Sequence, residues 1–132
     1  MEGGQTNEFR PLILVAEEDD SNFKLIKAII GKKCDIQWAK NGEEIVALFK
    51  EYGKEAKAIL MDIKMPVMNG LDATKIIREE NKEIPIIMQT AYAFSSDKEN
   101  AMNAGASEVL VKPITLSILR GTLTKYFPEL VW

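Results

Sequence analysis

A chain of 132 residues, 46% hydrophobic and 28% charged, suits one globular domain with one core. Its net charge of −3 argues against nucleic acid as the main partner, and no apolar run reaches the roughly 18 residues a membrane span needs. It has no histidine and one cysteine, Cys34, which excludes a Ser-His-Asp triad, a Cys-His pair, His-ligated zinc and an internal disulfide.

The polar start, MEGGQTNEFR, lacks the apolar core of a signal peptide. With the lone cysteine it points to a cytoplasmic address, and residues 1–10 read as a flexible N-terminal tail. Leu12–Ala16 is a first, all-apolar strand, followed by the acidic run Glu17-Glu18-Asp19-Asp20. A helix over 21–30 places Leu25, Ile26, Ile29 and Ile30 on one face, with Ser21 or Asn22 as N-cap and Gly31 near the C-cap. Asp35–Ala39, DIQWA, is more polar and reads as an edge strand, its Trp38 most simply a packing residue. A helix over 43–52 buries Ile45, Val46, Leu48, Phe49 and Tyr52. Ala58–Asp62 is a strand that ends on a carboxylate, before a loop with Pro66 and Asn69-Gly70. A helix over 71–80 buries Leu71, Ala73, Ile76 and Ile77, and Ile84–Thr90 follows as a strand. The helix near 96–103 opens with the capping-box spacing of Ser96 and Glu99, and Gly105 lies just past its end. After the strand Glu108–Lys112, a last helix over about 115–127 opens on Thr115 and buries Leu116, Leu119, Leu123 and Phe127 before Pro128.

This alternation predicts βαβ units with parallel strands and right-handed crossovers. The expected architecture is α/β, a five-stranded doubly wound parallel sheet with helices on both faces. Ligands in such sheets bind beyond the carboxyl ends of the strands. Those ends carry Glu17-Glu18, Asp62, Thr90 and Lys112-Pro113. Taken singly each has a plainer reading: the acidic run as a solvated helix start, Asp62 as a turn cap, Thr90 as a strand residue. Together, each directly after an apolar run, they converge on one rim.

Two unit charges about 4 Å apart repel by roughly 4 kcal/mol at an effective dielectric near 20. Three carboxylates against one ammonium are therefore strained or partly protonated unless a cation joins them. With no histidine present, oxygen must do most of the binding, which favours Mg²⁺, an ion that takes one or two carboxylates plus a phosphate oxygen. The pattern describes half a coordination shell whose missing half is a phosphoryl group. Lys112 could pair with a second phosphoryl oxygen and Thr90 could donate to a third, with Asp62 between them as nucleophile.

The blocks ILVAEEDDSN, ILMDIKMPVMNG, PIIMQTAYA and EVLVKPI, in this order, resemble the response-regulator receiver domain of bacterial two-component signalling, over about residues 10 to 127. The resemblance implies a flavodoxin-like (βα)5 fold with strand order 2-1-3-4-5, residues 11–132 forming the receiver. It implies that Asp62 accepts a phosphoryl group from a partner's phosphohistidine. Glu18, Asp62 and the backbone carbonyl of Lys64 would hold Mg²⁺, with Glu17 supporting indirectly. Thr90 would be the switch hydroxyl and Lys112 the neutralising cation, with a cis peptide before Pro113. The phosphodonor would be a histidine kinase or histidine phosphotransfer domain docking near the helix that begins at Ser21. The output partner would use the face formed by the fourth helix, fifth strand and fifth helix. The resemblance implies neither nucleic-acid binding nor a membrane segment, and a monomer or weak dimer. The domain would phosphorylate and dephosphorylate itself. A stand-alone receiver, a regulator cut before its output domain and a receiver excised from a hybrid kinase would all fit; VAEEDDSN looks most like the receivers of hybrid sensor kinases, in which case the parent chain would be a histidine kinase.

Two positions depart from the pattern. Glu18 stands where Asp is commoner, and one methylene moves a carboxylate by about 1.5 Å. Val109 stands where an aromatic usually swings, so output would rest on backbone shifts or on Tyr92. Rival readings fit less well. An aspartyl phosphatase wants a second Asp at position 64, which is Lys. A nucleotide or flavin binder wants a glycine- or hydroxyl-rich first turn, which here is EEDD. A docking-only pseudo-receiver would not need Asp62, Thr90 and Lys112 intact.

Overall fold

A computed structural model of the chain describes residues 9–91 and 96–132. Its elements in chain order are β1 (Leu12–Ala16), α1 (Asp20–Ile30), β2 (Asp35–Ala39), α2 (Gly42–Tyr52), β3 (Ala56–Asp62), α3 (Gly70–Glu80), β4 (Ile86–Thr90), α4 (Asp97–Ala104), β5 (Glu108–Val111) and α5 (Leu116–Tyr126). All neighbouring strands pair in parallel, in the order β2-β1-β3-β4-β5. The doubly wound sheet and its strand order are thus as expected.

Alternation along the strands separates two apolar layers. Leu14, Ala16, Ile59, Met61, Ile86 and Met88 face α2, α3 and α4, where Ile45, Phe49, Ala73, Ile77 and Ala101 meet them. Ile13, Val15, Ala58, Leu60, Ile87 and Leu110 face α1 and α5, where Ile26, Ile29, Ile30, Leu119 and Leu123 meet them. Because both faces are covered, the central strands are apolar at nearly every position, which is why they read as continuous runs. Register brings Ala16 level with Met61, Asp62 with Gln89 and Thr90 with Val111, so the strand ends line one rim.

Helix starts differ from expectation in two places. Asp19, not Ser21 or Asn22, caps α1; its Oδ1 accepts from the backbone N–H of Ser21 at 2.7 Å and of Asn22 at 3.3 Å. Ser96 has helical dihedrals and makes no side-chain cap bond to α4, so the expected capping box does not form. Asn41, Asn69 and Thr115 do cap their helices. Leu25 and Leu116, expected inside, are 46% and 49% exposed because they sit at the margins of their helices' apolar stripes.

Residues 1–8 of the expected tail lie outside the described residues. Its last two are held. Phe9 packs on Phe127, and Arg10 Nε pairs with Asp35 Oδ1 at 2.7 Å while its Nη1 donates to Lys32 O.

The lower end of the sheet is fastened by Arg78. Its guanidinium donates to Gly105 O at 2.8 Å, to Asn81 O at 3.1 Å and to Ser107 Oγ at 3.3 Å, and Ser107 Oγ in turn accepts from Ile86 N. Gly105 has φ 116°, and a Cβ there would lie 2.6 Å from Arg78 Cγ. Both the left-handed conformation and the close approach require glycine.

Candidate functional site

Asp62 is the last residue of β3 and is 7% exposed. The strand fixes its backbone, and the loop behind it closes tightly. Gly70 N donates to Ile63 O at 2.8 Å, and a Cβ on Gly70 would fall 2.1 Å from Asp62 O. Asp62 Oδ2 accepts from Lys112 Nζ at 2.8 Å, and Oδ1 accepts weakly from the backbone N–H of Lys64 at 3.3 Å.

Lys112 follows β5, with its backbone N–H on Thr90 O and a cis peptide to Pro113, as expected for that position. Burial alone would lower its pKa. The hydrogen bond it donates to Asp62 and the charges of Asp62 and Glu17 outweigh burial and raise it.

Glu17 is 1% exposed. Its Oε2 accepts from Asp19 N at 3.1 Å, while Oε1 has no hydrogen-bond partner and lies 3.7 Å from Lys112 Nζ. Desolvation is the largest influence on this carboxyl and, helped by the nearby Asp62 charge, it pushes the pKa up to about 7. Of the acids gathered here, burial therefore weighs most against the ionised form of Glu17.

The structure brings Asp62, Lys112 and Glu17 together, and the acids that follow Glu17 are exposed. Glu18 is exposed, Asp19 is occupied as the α1 cap, and Asp20 pairs with Lys40 at 2.9 Å. Lys64 is exposed on the loop after β3. Thr90 is 3% exposed and its Oγ1 donates to Asp97 Oδ2 at 3.2 Å, a partner no sequence pattern indicated. Val109 is half-buried against the α2–α3–α4 layer, and Tyr92 lies outside the described residues.

Among the described residues no three His, Cys, Asp or Glu side chains converge into a ready-made cation cage. The residues nevertheless fit an oxygen-bound cation. A buried carboxylate oxygen of Glu17 lacks a hydrogen-bond donor beside Asp62, and with both acids ionised Lys112 leaves one negative charge uncompensated. Mg²⁺ needs few protein ligands and keeps its waters, so an exposed Glu18 at the rim is compatible with it.

Sequence reasoning missed Trp38. Its indole Nε1 donates to Glu17 O at 2.8 Å and its ring stacks on Phe23, centroids 3.9 Å apart and planes within 2°. The link spans 21 residues and exists only through the β1–β2 pairing, so no local pattern announces it.

A cavity of about 310 Å³ adjoins the site and shares Lys112 with it, lined also by Asn22, Leu25, Ile26, Gln89 and Ile114. No helix among the described residues is long and apolar enough to cross a membrane.

Comparison with known proteins agrees with this geometry. The model of the response regulator receiver domain family matches residues 13–124. The chain is 40% identical over 129 residues to hybrid signal transduction histidine kinase I of Dictyostelium discoideum, covering 89% of this chain but only 7% of that protein. Among solved structures, the receiver domain of sensor histidine kinase PA1611 from Pseudomonas aeruginosa superposes with a TM-score of 0.83 at 30% identity, covering 90% of this chain and 98% of that one. That structure is described with a magnesium ion coordinated in its active site cleft. The receiver domain of Saccharomyces cerevisiae Ssk1, crystallised with the histidine phosphotransfer protein Ypd1, gives 0.84 at 27% identity, covering 96% of each chain.

Proposed function

The chain belongs to the response regulator receiver family, and from that premise we propose that Asp62 accepts a phosphoryl group from a partner's phosphohistidine and that the acyl phosphate switches the domain. The observation that carries this reading is the Asp62–Lys112 ion pair at the end of β3, with the unbonded oxygen of buried Glu17 beside it.

An Asp62 carboxylate oxygen attacks phosphorus in line, an O–P bond forms, and the N–P bond of the donor breaks with its electron pair returning to the imidazole nitrogen, which takes up a proton. β3 holds the nucleophile, and Lys112 pairs with charge on the phosphoryl oxygens. When bound, Mg²⁺ neutralises charge on the phosphoryl oxygens and orients them. Glu18, Asp62 and the Lys64 carbonyl would hold it, with Glu17 behind them. Thr90 leaves Asp97 and donates to a phosphoryl oxygen. Hydrolysis ends the signal: water attacks phosphorus, the Asp62 O–P bond breaks, and carboxylate and inorganic phosphate remain.

The donor is a histidine kinase or histidine phosphotransfer domain, placed over the start of α1, where the cavity shares Lys112 with the site. Output runs through α4, β5 and α5, where Met102 and Val111 are 47% and 42% exposed. The domain works in the cytoplasm as a monomer or weak dimer. The VAEEDDSN block and the likeness to a hybrid kinase of Dictyostelium favour a hybrid histidine kinase as the parent protein, with a response regulator as the alternative.

With Mg²⁺ and a small acyl phosphate, intact mass should show one added phosphoryl group on the wild type and none on Asp62→Asn. An undiminished adduct on the variant would move the nucleophile elsewhere, and many turnovers of a free phosphate ester would favour a phosphatase instead.

A further inference from the structure

We propose that Trp38 is a positioning residue for Mg²⁺ capture, acting through the peptide plane between Glu17 and Glu18. The inference rests on the reading of the site as a receiver's phosphoacceptor centre.

Glu18 is exposed, yet it follows directly on a residue held from several sides. Glu17 N donates to Ala39 O at 2.9 Å, and Glu17 O accepts from Trp38 Nε1 at 2.8 Å. A peptide group is rigid and planar. Holding the Glu17 carbonyl therefore also sets the direction of the Glu18 N–H and the position of the Glu18 Cα. The Glu17 N–H makes the last β1–β2 backbone bond, so at the Glu17 carbonyl the indole supplies the constraint that strand pairing no longer does.

The indole is itself fixed. Phe23 of α1 stacks flat on one side, and Lys40 Nζ lies 4.9 Å from the ring centroid while pairing with Asp20. The exposed Lys40–Asp20 pair adds little energy. The aromatic stack contributes the rigidity, and it ties the first turns of α1 to β2 across the acidic turn. One edge-strand side chain thus sets the spacing between the buried Glu17 carboxyl and the exposed Glu18. Glu18 has an extra flexible bond relative to Asp, so a fixed backbone matters more for it.

Trp38→Phe keeps a ring, smaller than the indole, to stack on Phe23 and removes the N–H donor. The test titrates Mg²⁺ without a phosphodonor, following the amide chemical shifts of Glu18 and Asp19, and then measures phosphorylation by a small acyl phosphate against Mg²⁺. The expected result is a Mg²⁺ dissociation constant raised about tenfold, the low end for loss of an outer-shell partner, with the phosphorylation rate at saturating Mg²⁺ unchanged. Trp132→Phe is the matched control. It also loses an indole hydrogen bond, to Thr124 Oγ1 at 2.9 Å, but remote from the acids, and should titrate as wild type. A Trp38→Phe titration that coincides with wild type, while the wild type still takes one phosphoryl group, overturns this inference alone. A wild type that binds no Mg²⁺ and takes no phosphoryl group overturns the receiver reading with it.

Discussion

Cys34 illustrates how burial sets the chemistry of a single side chain. It is 1% exposed, and desolvation pushes its thiol up to about 11. Between roughly pH 9 and 11 the folded thiol keeps a proton that the unfolded chain has released, so this group's contribution to stability is full below about 9 and is lost as pH rises through the folded value. Wild type should lose stability faster than Cys34→Ala between pH 8.5 and 10.5, by up to about 1.4 kcal/mol per pH unit, in urea unfolding at each pH. Parallel losses in the two proteins would refute it. Residue types were legible at this scale, and residue environments were not. Glu17 and Glu18 are indistinguishable as letters, yet one is buried with a perturbed carboxyl and the other faces solvent. That difference follows from which side of the β1 end faces Asp62 and Lys112, and those two are brought there by other strands.

The β3–α3 loop shows what an element connection can store. Met68 N donates to Pro66 O at 2.7 Å across Val67, which has φ 70° and is 74% exposed. This is a γ-turn with a β-branched residue at its left-handed centre, a conformation that disfavours L side chains by roughly 1–2 kcal/mol. The loop is clamped on both sides, by Gly42 N on Met68 O and by Gly70 N on Ile63 O. Val67→Asn should therefore stabilise the fold by about 1 kcal/mol, since Asn tolerates this region far better. A denaturation midpoint at or below that of wild type would count against the strain. The elements themselves were readable because strand runs and helical stripes repeat several times. Caps and stripe edges hinge on one residue each, which is why Asp19, Ser96, Leu25 and Leu116 were misjudged. The left-handed Val67 carried no signal, because its neighbours force it and its own letter argues against it.

At the level of the whole molecule the sheet is shared by two apolar layers, and each central strand contributes to both. Ile77 lies in one layer and Leu119 in the other, both fully buried. Ile77→Ala and Leu119→Ala should each cost about 2–5 kcal/mol. Each should shift a single unfolding transition followed by fluorescence and circular dichroism. Separate transitions would mean that the layers fold independently. The topology was deducible because βαβ handedness leaves few alternatives, and it carried most of the site with it by placing Asp62 and Lys112 at one rim. Asp97 beside Thr90 and Trp38 beside Glu17 lay beyond that reach, since both depend on how helices and edges settle in three dimensions.

The Arg78 guanidinium bears on motion at the opposite end of the sheet. It rivets the foot of β5 to α3, through Gly105 and Ser107, and Ser107 in turn holds the foot of β4. β5 is also paired with β4 up to Val111, so with its foot pinned any displacement of the strand would grow along its length and be greatest at Val111 and Lys112. The fastening turns β5 into a lever whose fulcrum lies away from solvent-facing chemistry and whose tip carries the ammonium group.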